Sequence, residues 1–217
     1  MYPEDTYMHQ GLRSKLVKEI RNKGIVDERV LDAIGRIPRH VFMDSSFIKF
    51  AYQDNAFPIS SGQTISQPYT VAFQTQLLEV EEGMKVLEVG TGSGYQCAVL
   101  VELGLRVFTI ERIRNLYLES QIRLNKLGYS AHFLFGDGYE GSPSYGPFDR
   151  ILVTAGAREI PPRLKEQLKI GGVMIIPVGP SSHQKMLKCI RKSEDDYEIT
   201  SHGGFVFVPL LKGKRES

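Results

Sequence analysis

The chain has 217 residues, enough for one hydrophobic core or for a core with a small appendage. Hydrophobic residues make up 41% and charged residues 24%, and the formal net charge of +2 gives no electrostatic reason to expect a nucleic acid or membrane partner. The two cysteines, Cys97 and Cys189, form neither a disulfide framework nor a metal-binding spacing, so a reducing compartment is expected. The N-terminal segment is polar and no apolar run is long enough to span a membrane, so we expect a cytoplasmic protein.

Two amphipathic helices are predicted near the start of the chain. The apolar residues of the first recur at helical spacing: Leu12, Leu16, Val17 and Ile20. The apolar residues of the second do the same: Val30, Leu31, Ile34 and Ile37. Gly24 is the predicted stop of the first helix, and Asp27 is the predicted N-cap of the second, which ends before Pro38.

Regular periodicity fades between residues 47 and 66. A stretch of this length without a regular pattern inside a compact domain is usually functional or mobile. Pro68 then predicts the start of a third helix, with Ser66 or Gln67 as its cap, because proline is favoured at the first helical position.

From residue 85 onward, strands and helices alternate. The predicted strands are 85–90, 106–110, 131–135, 149–154 and 173–178, and the predicted helices are 95–103, 113–127 and 160–168. Such alternation predicts an α/β fold with a doubly wound, mostly parallel sheet. Three further strands follow without helices between them and predict antiparallel pairing at the C-terminal end: 187–192, 197–201 and 205–210.

We therefore expect a single domain over residues 1–217. Helices and a long loop occupy 1–79, a ligand-binding core occupies 80–180, and antiparallel strands occupy 181–217.

A glycine-rich turn follows the first strand of the alternating region. Gly90, Gly92 and Gly94 stand at alternate positions between an apolar run and a helical pattern, which predicts a strand, a tight turn and a helix. Glycines permit positive φ and leave room for a ligand, and the free amides that begin the next helix favour an anionic group. The following strand ends in Glu111, 21 positions after Gly90, a spacing at which an acidic side chain can bind a ribose diol.

Two ribose-containing cofactors fit this turn, NAD and S-adenosylmethionine (SAM). The dinucleotide fingerprint requires a third glycine at the position where this chain has Tyr95. Glu88, two residues before the first glycine, would repel a pyrophosphate but suits the ammonium or sulfonium of a methionine moiety. The sequence therefore favours SAM.

Asp137, between Gly136 and Gly138, follows the third strand at the edge where ligands of a doubly wound sheet bind. There it can accept a hydrogen bond from an adenine amino group, although Asp-Gly is also a common turn pair. No histidine stands at metal-ligand spacing, and no G-x-S-x-G motif marks a serine nucleophile. A methyl transfer tolerates this absence, because the sulfonium is an activated leaving group that the protein has only to align with an acceptor.

A family resemblance rests on two segments: Gln63-Thr64-Ile65-Ser66-Gln67-Pro68 and, after it, Val86-Leu87-Glu88-Val89-Gly90-Thr91-Gly92-Ser93-Gly94-Tyr95. Together they resemble the protein-L-isoaspartate O-methyltransferases. Further matches follow in chain order at 111–112, 136–138, 147–149, 171–172, 177–179 and 207–210. The resemblance implies a Rossmann-like fold of the class I SAM-dependent methyltransferase type, with an N-terminal helical cap.

The resemblance also implies an activity and its residues. A methyl group passes from SAM to the α-carboxylate of L-isoaspartyl residues in damaged proteins and peptides, leaving S-adenosylhomocysteine, and the ester closes to a succinimide. The implied cofactor residues are Glu88, Gly90, Thr91, Gly92, Ser93 and Gly94 at the methionine end, Glu111 at the ribose, and Asp137 and Gly138 at the adenine. The implied substrate residues are Thr64, Ile65, Ser66, Val208, Pro209 and Leu210, with Ser66 as the active-site residue. The enzyme is expected to be monomeric and cytoplasmic, with no metal, nucleic acid or membrane partner.

Two other classes of function stay open from the sequence. A SAM-dependent methyltransferase acting on a small molecule or a nucleic acid would share the nucleotide unit, but it gives no role to 64–68 or 208–210. A non-catalytic SAM-binding regulator would bind SAM without turnover. The chain departs from the family pattern at Tyr69-Thr70-Val71, where some members have His-Met-His, and at Val206, where many have Arg. The sequence around the isoaspartyl residue that the enzyme prefers therefore stays open.

Overall fold

A computed structural model describes residues 4–216, so the ends of the predicted domain, 1–3 and 217, lie outside the described residues. The α-helices in this range are α1 (Tyr7–Asn22), α2 (Glu28–Arg36), α3 (Pro68–Leu77), α4 (Tyr95–Glu102), α5 (Arg114–Lys126) and α6 (Pro162–Glu166). The strands are β1 (Phe57–Pro58), β2 (Thr64–Ile65), β3 (Lys85–Val89), β4 (Arg106–Glu111), β5 (His132–Phe135), β6 (Phe148–Val153), β7 (Leu168–Val178), β8 (Gln184–Arg191) and β9 (Tyr197–Phe205). Between residues 4 and 216, no helix combines the length and the hydropathy needed to cross a membrane.

The centre of the fold is a sheet with the strand order β5-β4-β3-β6-β7-β8-β9. The first five strands of this order run parallel, and β8 and β9 are antiparallel to their neighbours. The strand order reverses at β3, which has β4 on one side and β6 on the other. Ligands of such sheets bind at this reversal, outside the carboxyl ends of the strands. The predicted doubly wound sheet with antiparallel C-terminal strands is confirmed.

Side chains of β3 alternate between two hydrophobic cores. Val86 belongs to the core that also contains apolar residues of α1 to α4, whereas Leu87 and Val89 belong to the core that includes Leu164 of α6. Val86 and Leu87 are fully buried, and burial of a side chain of this size contributes about 1.5–3 kcal/mol. Packing in the two cores fixes the position of β3, so the turn that follows it is held in place at the carboxyl edge of the sheet.

The predicted N-terminal helices are confirmed, and one of the two predicted caps of the third helix, Gln67, lies at its N-cap position, but neither predicted residue supplies a capping hydrogen bond. Asp27 caps α2 by accepting a hydrogen bond from Arg29 N at 3.0 Å. At α3, Gln67 occupies the N-cap position without a capping side-chain hydrogen bond, and Ser66 lies one residue too early to supply one. The acceptor comes from another segment instead, because Asp54 Oδ1 accepts from Tyr69 N at 2.7 Å.

The predicted strand at 205–210 does not form. β9 extends as far as Phe205, and the chain then crosses the carboxyl ends of the parallel strands. Gly156, at the end of β6, donates its N–H to Val208 O and accepts from Leu210 N, both at 2.8 Å. Pro209, between these two, has no N–H for a further ladder bond. We call residues 206–216 the C-terminal strap.

The predicted helix at 160–168 is also shorter than expected. Pro162 begins α6, which ends at Glu166, and Leu168 already belongs to β7. Proline has no N–H to continue a helix from the preceding turn, so α6 begins at Pro162.

The carboxyl group of Glu88 is buried inside the fold. It lies on the same face of β3 as Val86 and is fully buried. Thr109 Oγ1 donates to Glu88 Oε2 at 2.6 Å, while Oε1 has no hydrogen-bond partner in the described part of the chain. Burial raises the pKa of Glu88 to about 8, although the bonds from Thr109 and Cys97 favour the charged form. Glu88 is therefore mostly protonated at neutral pH.

We expect Glu88→Gln to change how stability depends on pH. The folded protein retains a proton on Glu88 up to a pKa of about 8, whereas an unfolded carboxyl releases it near 4.5. The wild type should therefore lose stability as pH rises through this window, and the variant should lack that loss. The free energy of unfolding, measured by urea denaturation, should favour the variant by about 1 kcal/mol or more at the upper end of the window.

The exposed Glu81, changed to Gln, is the matched control for this experiment. It should leave the wild-type pH dependence in place. Parallel stability curves for wild type and Glu88→Gln would show that Glu88 is ionised in the folded protein.

Candidate active site

A cleft opens at the carboxyl ends of β3, β4 and β6, where the strand order reverses. The empty space of the cleft, with the solvent at its mouth included, is about 810 Å³. The lining residues are Gln63, Thr64, Ile65, Ser66, Val71, Val89, Gly90, Thr91, Gly92, Ser93, Tyr95, Gln96, Ile110, Glu111, Arg112, Ile113, Gly138, Thr154, Ala155, Val208, Pro209, Leu210 and Leu211.

The glycine turn after β3 forms the floor of the cleft. Gly90, Gly92 and Gly94 all have positive φ, at 102°, 52° and 87°. A Cβ on Gly90 would lie 2.5 Å from Thr154 Oγ1, and one on Gly94 would lie 3.0 Å from Leu124 Cδ1. A Cβ on Gly92 would meet only Ile59 Cδ1, at 3.8 Å. The outer glycines therefore allow close packing, while the middle one keeps the turn open towards the cleft.

Glu111 ends β4 with its side chain in the cleft wall. It is only 5% exposed. Glu111 Oε2 accepts from Gly92 N and Oε1 accepts from Ile113 N, each at 2.9 Å. Each carboxylate oxygen has a second lone pair, so Glu111 can hold the glycine turn and still accept bonds from a ligand.

Asp137 and Gly138 follow β5. Gly138 lines the cleft, and a Cβ there would lie 2.6 Å from Val89 Cγ1. Asp137 is not among the lining residues. Its oxygens accept from Tyr139 N at 2.8 Å and from Gly213 N at 2.6 Å. Asp137 thus joins the turn after β5 to the C-terminal strap.

The irregular segment predicted between residues 47 and 66 is largely ordered. It contains two short 3₁₀ helices, Ser45–Phe50 and Ser60–Gly62, and the antiparallel pair β1–β2. β2 brings Thr64 and Ile65 to the cleft, and Ile65 is only 2% exposed. Residues 63–66 form a further wall of the cleft, and we call them the substrate loop after the role that the family resemblance implies for Thr64, Ile65 and Ser66.

The C-terminal strap closes the remaining side of the cleft. Val208, Pro209 and Leu210 line it as predicted, and Leu211 adds to them. The strap is held along its length, because Arg114 N donates to Arg215 O at 2.9 Å and Arg215 N donates to Arg112 O at 2.7 Å.

Three predicted cofactor residues do not line the cleft: Glu88, Gly94 and Asp137. Glu88 is connected to it, since Thr91 Oγ1 lies 2.6 Å from Thr109 Oγ1, which bonds to Glu88. The rule that ligands bind at strand ends predicts Thr154 and Ala155, after β6, and both line the cleft. Sequence reasoning missed other lining residues, among them Ile110 at the end of β4 and Val71 and Gln96, which no sequence signal marks.

The polar groups of the cleft suit binding and alignment. Its charged lining residues are Glu111 and Arg112, and its lining residues that carry a hydroxyl group are Thr64, Ser66, Thr91, Ser93, Tyr95 and Thr154. Within the described range 4–216, no histidine, cysteine or lysine lines the cleft. Gln96 belongs to the lining but is only 7% exposed, and its Oε1, which has no hydrogen-bond partner among residues 4–216, is itself buried.

A second polar cluster lies away from the cleft, formed by the residues just before α1, the first turn of α1 and the segment after α2. Ligand atoms of Asp5, His9 and His40 lie within 4.8 Å of one another, a grouping that the sequence spacing did not indicate. The rings of His9 and His40 stack at 4.1 Å with an angle of 24° between them, and Asp5 pairs with Arg13 at 2.9 Å. Ring lone pairs lie in the ring plane, so stacked rings do not direct them at one ion.

Comparison with known proteins supports the family resemblance. The family model described as Protein-L-isoaspartate(D-aspartate) O-methyltransferase matches residues 11–215. A protein from Christiangramia forsetii named Protein-L-isoaspartate O-methyltransferase is 59% identical over 97% of this chain and 99% of its own length. One of the same name from Cytophaga hutchinsonii is 57% identical over 96% of this chain and 94% of its own.

Solved structures agree. A structure named protein-L-isoaspartate O-methyltransferase has a TM-score of 0.82 and 29% identity, and the match covers 91% of this chain and 65% of that one. A second, from Plasmodium falciparum and in complex with S-adenosyl-L-homocysteine, shares the fold with a TM-score of 0.80 at 24% identity, covering 92% of this chain and 98% of that one. With its family and its class I methyltransferase fold both established, this chain belongs to the protein-L-isoaspartate(D-aspartate) O-methyltransferase family.

Proposed function

We propose that this chain transfers the methyl group of SAM to the α-carboxylate of L-isoaspartyl residues in damaged proteins and peptides, with S-adenosylhomocysteine as the product. The observation that carries this proposal is that the substrate loop, the C-terminal strap and the glycine turn all line the same cleft. A methyltransferase for small molecules or nucleic acids needs the turn, but it leaves the substrate loop and the strap without a role.

The cofactor is assigned to the strand-end side of the cleft. Glu111 accepts from the ribose hydroxyls with lone pairs that Gly92 N and Ile113 N leave available. Gly138 lies against the adenine, and Asp137 contributes through the turn that it holds. The floor formed by residues 90–94 receives the methionine end.

Glu88 acts on the methionine end at one remove. Its carboxyl orients the Thr109 hydroxyl, which in turn contacts the Thr91 hydroxyl in the lining. A direct contact would require Glu88 to leave its buried position on β3.

The acceptor is assigned to the space between Thr64, Ile65, Ser66 and residues 208–210. When bound, SAM supplies a methyl group on a positively charged sulfur. A carboxylate with a pKa of about 4 is already ionised at pH 7, so the site needs no strong base. Ser66 then positions the carboxylate by a hydrogen bond, and the buried Ile65 helps to exclude water.

The proposal includes a monomeric enzyme in the cytoplasm, with no nucleic acid partner. The two cysteines, Cys97 and Cys189, are free and buried, which supports a reducing compartment.

A methyl-transfer assay tests the proposed function. Labelled SAM is incubated with the protein and with two peptides that differ only in carrying an L-isoaspartyl or an L-aspartyl residue. We expect label in the isoaspartyl peptide and a volatile product, methanol, as the ester closes to a succinimide. SAM binding without labelling of either peptide would favour a SAM-binding regulator instead.

Replacing Glu111 should weaken cofactor binding. Glu111→Ala removes the ribose acceptor and should weaken SAM affinity in calorimetry by about 1–3 kcal/mol, the scale for a hydrogen bond to a charged group. Because Glu111 also holds the Gly92 N–H, Glu111→Gln serves as a second variant that retains one acceptor oxygen.

A 2′-deoxy analogue of S-adenosylhomocysteine separates the two roles of Glu111. The wild type should prefer the parent compound, and both variants should lose most of that preference. Equal preference in the wild type and the variants would remove Glu111 from the ribose site.

Replacing Ser66 should affect the acceptor more than the cofactor. Ser66→Ala removes a positioning bond next to the reacting carboxylate, so kcat should fall by more than about tenfold, the factor that one neutral hydrogen bond can explain. Calorimetry should show nearly unchanged SAM affinity. Ser60→Ala is the matched control, because the Ser60 hydroxyl donates to Glu119 and not into the cleft.

A loss confined to SAM binding in Ser66→Ala, or full kcat, would remove Ser66 from the active site. The acidic limb of the pH–rate profile should be the same in wild type and variant, because the substrate carboxylate sets it.

A further inference from the structure

Asp54 is a buried carboxylate that lies outside the cleft and holds the start of α3. Its side chain is 2% exposed. Asp54 Oδ1 accepts from Tyr69 N at 2.7 Å. Asp54 Oδ2 accepts from Gln67 Nε2 at 2.9 Å and from Lys23 Nζ at 2.6 Å. The carboxylate thus contacts the residues on both sides of Pro68.

α3 needs this acceptor. The first backbone N–H groups of a helix have no partner within it, and a side-chain oxygen normally supplies one from the N-cap position. Gln67 makes no capping bond there and points its amide at Asp54 instead. A negative charge at a helix N-terminus is also favoured by the helix dipole. Asp54 therefore caps the ten-residue α3 from a different segment of the chain.

The turn that carries Asp54 is itself fixed. Arg39, fully buried, donates from Nε to Ala51 O at 3.1 Å and from Nη2 to Asn55 O at 3.4 Å. Its guanidinium also lies 4.7 Å from the ring centroid of Tyr95, a residue of the cleft lining at the start of α4. Arg39 therefore links the turn that carries Asp54 to Tyr95 in the wall of the cleft.

We propose that Asp54 is a positioning residue for methyl transfer: by capping α3 and holding Gln67, it fixes the direction in which the chain leaves Ser66. The proposal rests on the proposed function for its effect on rate. Asp54 touches neither cofactor nor acceptor. It acts through Gln67 and Tyr69, the first and third residues after Ser66, and sets where the Ser66 hydroxyl and the buried Ile65 lie in the cleft.

Three variants test this in the full-length protein. Asp54→Ala should lower kcat for an isoaspartyl peptide by about tenfold, with KM for SAM nearly unchanged, because the cofactor side of the cleft is built from other strands. Asp54→Ala combined with Gln67→Asp moves the cap to the local N-cap position and should restore most of kcat. Asp27→Ala, which removes the equivalent cap of α2, is the matched control and should lower stability without lowering kcat.

Unchanged kcat in Asp54→Ala, or no recovery in the double variant, would overturn the proposal. If Asp54→Ala does not fold, Asp54→Asn replaces it, because the amide oxygen can still accept from Tyr69 N while the charge is lost. That variant should lower kcat relative to the wild type, because a neutral amide oxygen is a weaker acceptor for Tyr69 N than a carboxylate oxygen, with KM for SAM preserved. A kcat at the wild-type level there would overturn the proposal.

Hydrogen exchange separates this proposal from the proposed function. The Tyr69 amide should exchange faster in Asp54→Ala, or in Asp54→Asn, than in the wild type, while the Arg29 amide stays protected. Inactivity of the wild type on isoaspartyl peptides would refute the proposed methyl transfer. The capping of α3 by Asp54 would then be tested by hydrogen exchange at the Tyr69 amide alone. An unchanged Tyr69 amide would refute the cap even in an active enzyme.

Discussion

The geometry of the cleft depends on one backbone constraint, the left-handed turn that takes the chain from β3 into α4. Thr154, at the end of β6, donates its hydroxyl to Gly90 O at 2.7 Å, a contact that a side chain on Gly90 would prevent. From the other side, Glu111 on β4 accepts from Gly92 N. The two strands that flank β3 therefore hold the turn in one conformation and leave the space above it open.

The walls formed by the substrate loop and the C-terminal strap are held in place by a different kind of contact. The substrate loop and the C-terminal strap come from segments on either side of the parallel region, and each is tied down by contacts distant in sequence. Asp54 holds the start of α3 behind the loop, and Asp137 holds the strap at Gly213. The proposed cofactor side thus depends on neighbouring strands, whereas the proposed acceptor side depends on the packing of the whole chain. Variants that loosen the start of α3 should accordingly disturb acceptor alignment before cofactor binding.

Local patterns explain what could be predicted from the sequence. The strand–turn–helix at Gly90 and the acidic end of β4 are encoded within a few residues, so the floor of the cleft was predicted. The acceptor that caps α3 was not predicted, because Gln67 occupies the N-cap position but makes no capping bond. The actual acceptor is Asp54, which a bend and a strand pair separate from Tyr69 in the sequence. The end of β9 at Phe205 was not predicted, because the apolar residues that follow have the pattern of a strand. In the structure these residues instead cross the carboxyl edge of the sheet. The alternation of side chains along β3 directs Glu88 into the core. Only the three-dimensional packing shows that its carboxyl group does not reach the cleft.

The most direct test of this arrangement is a crystal structure of the protein with S-adenosylhomocysteine and a peptide containing L-isoaspartate. We expect the ribose hydroxyls within hydrogen-bonding distance of Glu111. The isoaspartyl α-carboxylate should lie beside Ser66, between the substrate loop and residues 208–210. A ribose bound away from Glu111, or a peptide seated outside the space between loop and strap, would contradict the proposed site.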